Sequence, residues 1–190
     1  MRCDVILAGV GGQGVLSIAA IIAQAAVEEG LQVRQSEVHG MAQRGGAVLA
    51  HLRLSDTAIA SDLVPKGAAH LVLSTEPLES LRYAEWLSPN GVLVSASEPL
   101  VNIPNYPDLK EILSAIESFP IGKVVEANTL AKEAGLAKAV NMVMVGAASA
   151  YLPLKSGTME KTIEKMFAHK DAATVEANKK AYGLGKNAAK

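Results

Sequence analysis

A mostly apolar run, Asp4 to Ala8, passes straight into Gly9-Val10-Gly11-Gly12-Gln13-Gly14, and helical density begins at once. Leu16, Ile18, Ala19, Ile22, Ala23 and Ala26 supply one apolar side of a helix, which Gly30 is placed to terminate. Leu31 to Ser36 then has the length of a second strand. Strand, glycine turn, helix and strand in this order confine the chain to α/β architectures. Glycine permits the turn, leaves room where an anion would approach the backbone, and lets helix and strand pack closely. Amides at a helix start carry partial positive charge, so Gly9, Gly11, Gly12, Gln13 and Gly14 are candidate anion-binding residues. The same glycines serve equally well to pack the turn against the sheet or against a partner chain.

Downstream, Ala47 to Leu54 alternates as a strand, with Val48, Ala50, Leu52 and Leu54 on one face and His51 and Arg53 on the other. Leu71 to Ser74, Val92 to Ser95 and Lys123 to Glu126 read as further strands. A helix opens at Pro77 and reaches Trp86, Pro89-Asn90-Gly91 reads as a turn, and Asp108 caps a helix ending near Ser118. The apolar stretch Val140 to Leu154 reads as a buried helix, and helices are expected to dominate from Thr129 onward. The expectation is one domain over residues 1–190, a Rossmann-like α/β fold with a mainly parallel sheet flanked by helices. Its Gly/Ala-rich, basic tail, residues 183–190, is expected to fray.

Cys3 is the single cysteine, so the chain closes no internal disulfide and cannot supply the thiolates of an iron–sulfur cluster. The four histidines form no metal-binding motif, and no metal ligand is assigned. A net charge of −1 offers nucleic acid and acidic membranes no general attraction. No apolar run is long enough to span a bilayer and no cleavage site follows the N-terminal run, which predicts a cytoplasmic location.

The second polar loop, Ser36-Glu37-Val38-His39-Gly40-Met41-Ala42-Gln43-Arg44-Gly45-Gly46, is more specific. Together with G-x-G-G-Q-G it resembles the gamma-type domain of the 2-oxoacid:ferredoxin oxidoreductases, and H-G-M-A-Q-R-G-G most resembles their indolepyruvate ferredoxin oxidoreductase branch. Ser61-Asp62-Leu63-Val64-Pro65, Glu76-Pro77-Leu78-Glu79 and Asn141-Met142-Val143-Met144-Val145-Gly146 fit the same family, so the resemblance covers most of the chain. It implies an oxidoreductase acting on oxo donors with an iron–sulfur protein as acceptor. A 2-oxoacid, coenzyme A and oxidised ferredoxin give an acyl-CoA, carbon dioxide and reduced ferredoxin. The resemblance further implies a large alpha subunit that carries thiamine diphosphate and iron–sulfur clusters, with ferredoxin reached through the complex. This chain would be the small subunit, inactive alone and able to form a homodimer when isolated.

Within that reading, Arg44 is the principal cation, able to offer a fork of donors to a carboxylate or phosphate, with Gly45 and Gly46 beside it. Glu37, His39 and Gln43 are candidates to shape a substrate pocket or orient Arg44. Plainer readings stand next to these: Arg44 paired with Glu37 inside the loop, His39 as a hydrogen-bonded loop residue, His51 and His70 as structural groups, and Cys3 as an inert thiol. Asn128 and Asn141 are read first as caps or backbone anchors, and Glu76 as a helix-entry residue near the usual binding crevice. Two other functions remain open at this level. One is a stand-alone NAD(P)-dependent dehydrogenase using the first glycine turn, with Glu37 near the place of a ribose-binding acid. The other is a purely structural partner subunit.

Overall fold

The computed structural model describes residues 1–39 and 45–189, so Gln43 and Arg44 lie outside the described residues. Among these residues six strands form one sheet: β1 (Arg2–Val10), β2 (Gln32–His39), β3 (Ala47–Ser55), β4 (Ala69–Ser74), β5 (Leu87–Ala96) and β6 (Gly122–Val125). Their order is β2-β3-β1-β4-β5-β6. β1, β4, β5 and β6 pair in parallel, whereas β3 runs antiparallel to both β1 and β2. The mainly parallel sheet is therefore present with one reversed strand. The reversal has a simple cause: a parallel return needs a crossover of roughly a dozen residues or more, and only residues 40–46 separate β2 from β3.

Among the described residues seven helices cover the sheet: α1 (Val15–Glu28), α2 (Pro77–Arg82), α3 (Leu109–Glu117), α4 (Ala127–Glu133), α5 (Val140–Ser149), α6 (Ser156–Phe167) and α7 (Ala172–Ala188). Successive residues of β1 serve opposite layers, as strand geometry requires. Val5 and Leu7 pack with Ile18 and Ile22 of α1, Met159 and Ile163 of α6 and Tyr182 of α7. Ile6 instead joins Val72, Leu93, Ile112 and Ile116 on the face covered by α2 and α3. From Met142 to Ala148 every residue of α5 is buried, as expected of a helix apolar all round.

Over β3 the second face is covered by chain rather than by helix. Arg53 and Asp4 form a buried ion pair, Nε to Oδ1 at 2.8 Å, and Arg53 Nη1 donates to the Ser61 and Leu63 carbonyls at 2.9 Å each. His51 Nδ1 accepts from the Val64 amide at 3.1 Å. Together they fasten residues 61–64 to the sheet.

Three local expectations are corrected. The helix from Pro77 ends at Arg82, and a single 3₁₀ turn, Ala84–Trp86, follows it. Pro89-Asn90-Gly91 is not a turn but part of β5, where pairing with β4 jumps from Ala69↔Leu87 to Leu71↔Val92. Proline is tolerated there because the ladder is irregular. The stretch 183–188, expected to fray, is helical and completes α7, and Tyr151 Oη donates to the Ala189 carbonyl at 2.7 Å. Gly185 serves close packing, since a Cβ on it would stand 1.9 Å from the Val143 carbonyl oxygen of α5. No helix among the described residues is long and apolar enough to cross a membrane.

Candidate functional site

Open parallel sheets bind ligands where neighbouring strands send their connections to opposite faces. β1 leads into α1 on one face and β4 leads into α2 on the other, so the crevice lies at the C-terminal ends of β1 and β4. Gln13 forms its floor. The Gln13 Oε1 accepts from the Val10 amide at 2.8 Å and from Thr75 Oγ1 at 3.0 Å, while Nε2 donates to the Thr75 carbonyl at 3.2 Å.

The second glycine loop closes onto the first. Gly11 N donates to Gly46 O at 2.8 Å, and Gly45 N donates back to Gly11 O at 3.2 Å. Asn102 Nδ2 donates to Gly45 O at 2.7 Å, which ties the connection after β5 to the same spot. Sequence spacing alone did not show that the two loops are neighbours.

Gly14 is the N-cap of α1; its φ of 77° is left-handed, and no side chain caps the helix start. A Cβ there would lie 2.1 Å from Asn141 Nδ2, so glycine is needed for Asn141 to reach the mouth of the turn. Above Gln13 opens a cavity of about 440 Å³ lined by Thr75, Glu98, Asn128, Lys138 and Asn141. Glu98 Oε1 accepts from the Asn128 amide at 2.8 Å, and Glu98 Oε2 is buried without a hydrogen-bond partner among the described residues. Lys138 makes no ion pair among the described residues. One ammonium, the side-chain amides of Asn128 and Asn141 and the Gly12 amide can receive a phosphate or carboxylate.

Beside the crevice, Glu76 caps α2 by accepting from the Glu79 amide at 2.8 Å. It also accepts from Leu100 N at 3.3 Å and from the Tyr106 hydroxyl. Burial, then the bond to the Glu76 carboxylate, pushes the Tyr106 hydroxyl well above the ordinary phenol range. Glu76 is thus both the helix-entry residue and the anchor of the segment that passes over the crevice.

The other candidates divide. Glu37 is exposed on β2, opposite Ala50, with Gln35 Nε2 at 3.5 Å from its Oε2. His39 ends β2 opposite Val48. Gln43 and Arg44 lie outside the described residues. Gly9, Gly11, Gly12, Gln13, Gly14, Gly45 and Gly46 all gather at the paired loops. His51 and His70 are structural: burial holds His51 below the ordinary imidazole value, and His70 Nδ1 accepts from the Asp4 amide at 3.0 Å. Burial pushes the Cys3 thiol up to about 12, so it is a packing residue and not a thiolate ligand. Among the described residues no three His, Cys, Asp or Glu side chains converge on one point. Glu98 and Lys138 were not singled out in the sequence; a polar residue just past a strand end is the signal that points to Glu98.

A dinucleotide fits poorly. The Val10 and Gly11 amides are engaged by Gln13 and Gly46, and the Gln13 amide by Val10. β3 separates β2 from β1, so Glu37 stands at the sheet edge, far from where a ribose beside the turn would need it.

The family model for pyruvate ferredoxin/flavodoxin oxidoreductase matches residues 4–188. Indolepyruvate oxidoreductase subunit IorB of Archaeoglobus fulgidus is 36% identical over 100% of this chain and 96% of its own length. The gamma subunit of a keto/oxoacid ferredoxin oxidoreductase from Geobacter sulfurreducens superposes with a TM-score of 0.70 at 25% identity, covering 98% of both chains. The 2-oxoglutarate:ferredoxin oxidoreductase of Magnetococcus marinus, solved with 2-oxoglutarate, coenzyme A and succinyl-CoA, gives a TM-score of 0.76 at 21% identity. That match takes in 99% of this chain but spans only 31% of the longer neighbour, and it speaks for the fold alone. With a family model matched from near its first residue to near its last, and a relative similar along its full length, this chain belongs to the pyruvate ferredoxin/flavodoxin oxidoreductase family.

Proposed function

We propose that this chain is the small, non-thiamine subunit of a cytoplasmic 2-oxoacid:ferredoxin oxidoreductase that acts on aryl pyruvates such as indolepyruvate. The observation that carries the reading is the pairing of Gly11 with Gly45 and Gly46, which joins the two family loops at the mouth of one polar crevice. A dehydrogenase would need that turn open to a dinucleotide, and Gln13 occupies it.

The division of labour is the one the family resemblance implies, and the donors available agree with it. Oxidative decarboxylation requires thiamine diphosphate and iron–sulfur clusters, and one buried, protonated thiol cannot hold a cluster. Those groups belong to a large alpha subunit, and electrons pass from it to ferredoxin. This chain supplies a preorganised polar edge. Lys138, Asn141 and the Gly12 amide receive a phosphate of coenzyme A or a carboxylate of the alpha subunit. Arg44 is the cation this chain offers to the alpha subunit, with Glu37, His39 and Gln43 as candidates to orient it or shape the pocket.

Arg44→Ala in the assembled complex tests this. The expected outcome is an intact complex with kcat/KM for the aryl pyruvate or for coenzyme A lowered by about tenfold or more. Unchanged kinetics together with unchanged subunit affinity would instead favour a purely structural subunit.

A further inference from the structure

We propose that Asn102 is a positioning residue: through Gly45 and Gly11 it sets the direction of the Gly12 amide, the main-chain donor that the turn from Val10 to Gln13 leaves for an anion in the crevice. The assignment rests on the reading that the crevice receives a phosphate or carboxylate, and it names what holds the donor in place.

Three amides of that turn are engaged. Val10 N donates to Gln13 Oε1 at 2.8 Å, Gly11 N to Gly46 O at 2.8 Å and Gln13 N to Val10 O at 3.0 Å. Gly12 N has no acceptor among the described residues, and Gly12 lines the crevice. Main-chain N–H groups are nearly always paired, so one left over beside a polar cavity is available to an anion.

The direction of this N–H is not free. The Gly11 carbonyl and the Gly12 N–H belong to one planar trans peptide unit and point opposite ways. Gly45 N donates to Gly11 O at 3.2 Å, so the carbonyl faces the second loop and the Gly12 N–H faces away from it. Asn102 Nδ2 in turn donates to Gly45 O at 2.7 Å. Asn102 stands on a strap fixed at two points. Before it, Leu100 N donates to Glu76 Oε1 at 3.3 Å; after it, the Tyr106 hydroxyl donates to the same oxygen. Glu98, Pro99 and Leu100 of this strap also line the crevice. One element therefore walls the cavity and, two residues further on, holds the loop that orients its amide donor. Asn102 is exposed, so its side chain can be shortened without opening the core.

The test uses the full chain and inorganic phosphate, with backbone amide signals followed by NMR. Asn102→Ala should speed hydrogen exchange at Gly11 and Gly45 by about threefold to tenfold, as one lost hydrogen bond implies, while the Leu100 amide keeps its rate. In the parent chain, phosphate up to about 20 mM should shift the Gly12 amide signal saturably. Asn102→Ala should weaken that affinity by about threefold to tenfold, and Asn102→Gln, which keeps an amide donor on the strap, should recover most of it. Unchanged exchange at Gly11 and Gly45 would overturn the assignment, and so would faster exchange with phosphate affinity unaltered. A parent chain whose Gly12 signal ignores phosphate would overturn the anion reading itself, and the exchange rates tell the two failures apart.

Discussion

Gln13 and Thr75 stand 62 positions apart in the sequence, yet their groups exchange two hydrogen bonds, Thr75 Oγ1 to Gln13 Oε1 and Gln13 Nε2 to the Thr75 carbonyl. They join the turn after β1 to the end of β4 at the point where the two connections diverge. The glutamine of G-x-G-G-Q-G is thereby a structural bolt in a place where dinucleotide enzymes leave space. Gln13→Ala removes both bonds and strips the Val10 amide of its acceptor. The expected loss is about 1–3 kcal/mol in urea unfolding, with no gain of NADH binding by calorimetry.

Gly14 and Asn141 should behave as one unit. Gly14→Ala combines a left-handed backbone with a clash against Asn141 Nδ2, and is expected to cost about 1–3 kcal/mol. Adding Asn141→Ala removes the clash but not the backbone cost. A double-mutant cycle should therefore show the second change relieving part of the first, by about 0.5–3 kcal/mol.

The start of the fold was legible because its signals are local. The first strand, glycine turn, helix and second strand are read from neighbouring residues, and Asp108 as an N-cap needs only the residues it caps. What escaped was decided at a distance. Nothing near Ala47–Ser55 announces that this strand inserts between β1 and β2, because its partners are named by pairing and not by its own composition. The crevice draws Thr75, Glu98, Lys138 and Asn141 from the ends of separate elements, and no spacing in the sequence links them. The tail read as loose because Gly183 and Gly185 suggest freedom locally, whereas Gly185 is small so that α7 can lie against α5.

Asp4 and Arg53 give a stability prediction of the same non-local kind. Arg53→Met leaves the buried Asp4 carboxylate with Arg2 alone, whose Nε lies 2.7 Å from Oδ2, and frees the Ser61 and Leu63 carbonyls. Breaking one side of a buried pair is expected to cost about 3–5 kcal/mol, read from the shift in urea midpoint at constant m.

His51 should make stability pH-dependent. Burial lowers its folded-state value below the ordinary 6.5, so below pH 6.5 the unfolded chain binds more protons than the folded one. The His51 contribution is complete above pH 6.5 and is lost as pH falls from there through the lowered folded value. His51→Asn keeps an acceptor for the Val64 amide but does not titrate. Unfolding measured at about pH 7.5 and about pH 5 should show a smaller acid loss in the variant than in the parent chain.

The most direct test of the functional account is to recover the chain with its partners from the native host and measure aryl-pyruvate- and CoA-dependent reduction of a low-potential dye. The account predicts co-purification with a large subunit carrying thiamine diphosphate and iron–sulfur clusters, activity lost when this chain is removed, and activity restored when it is returned. A chain recovered alone, or a large subunit equally active without it, would contradict the account.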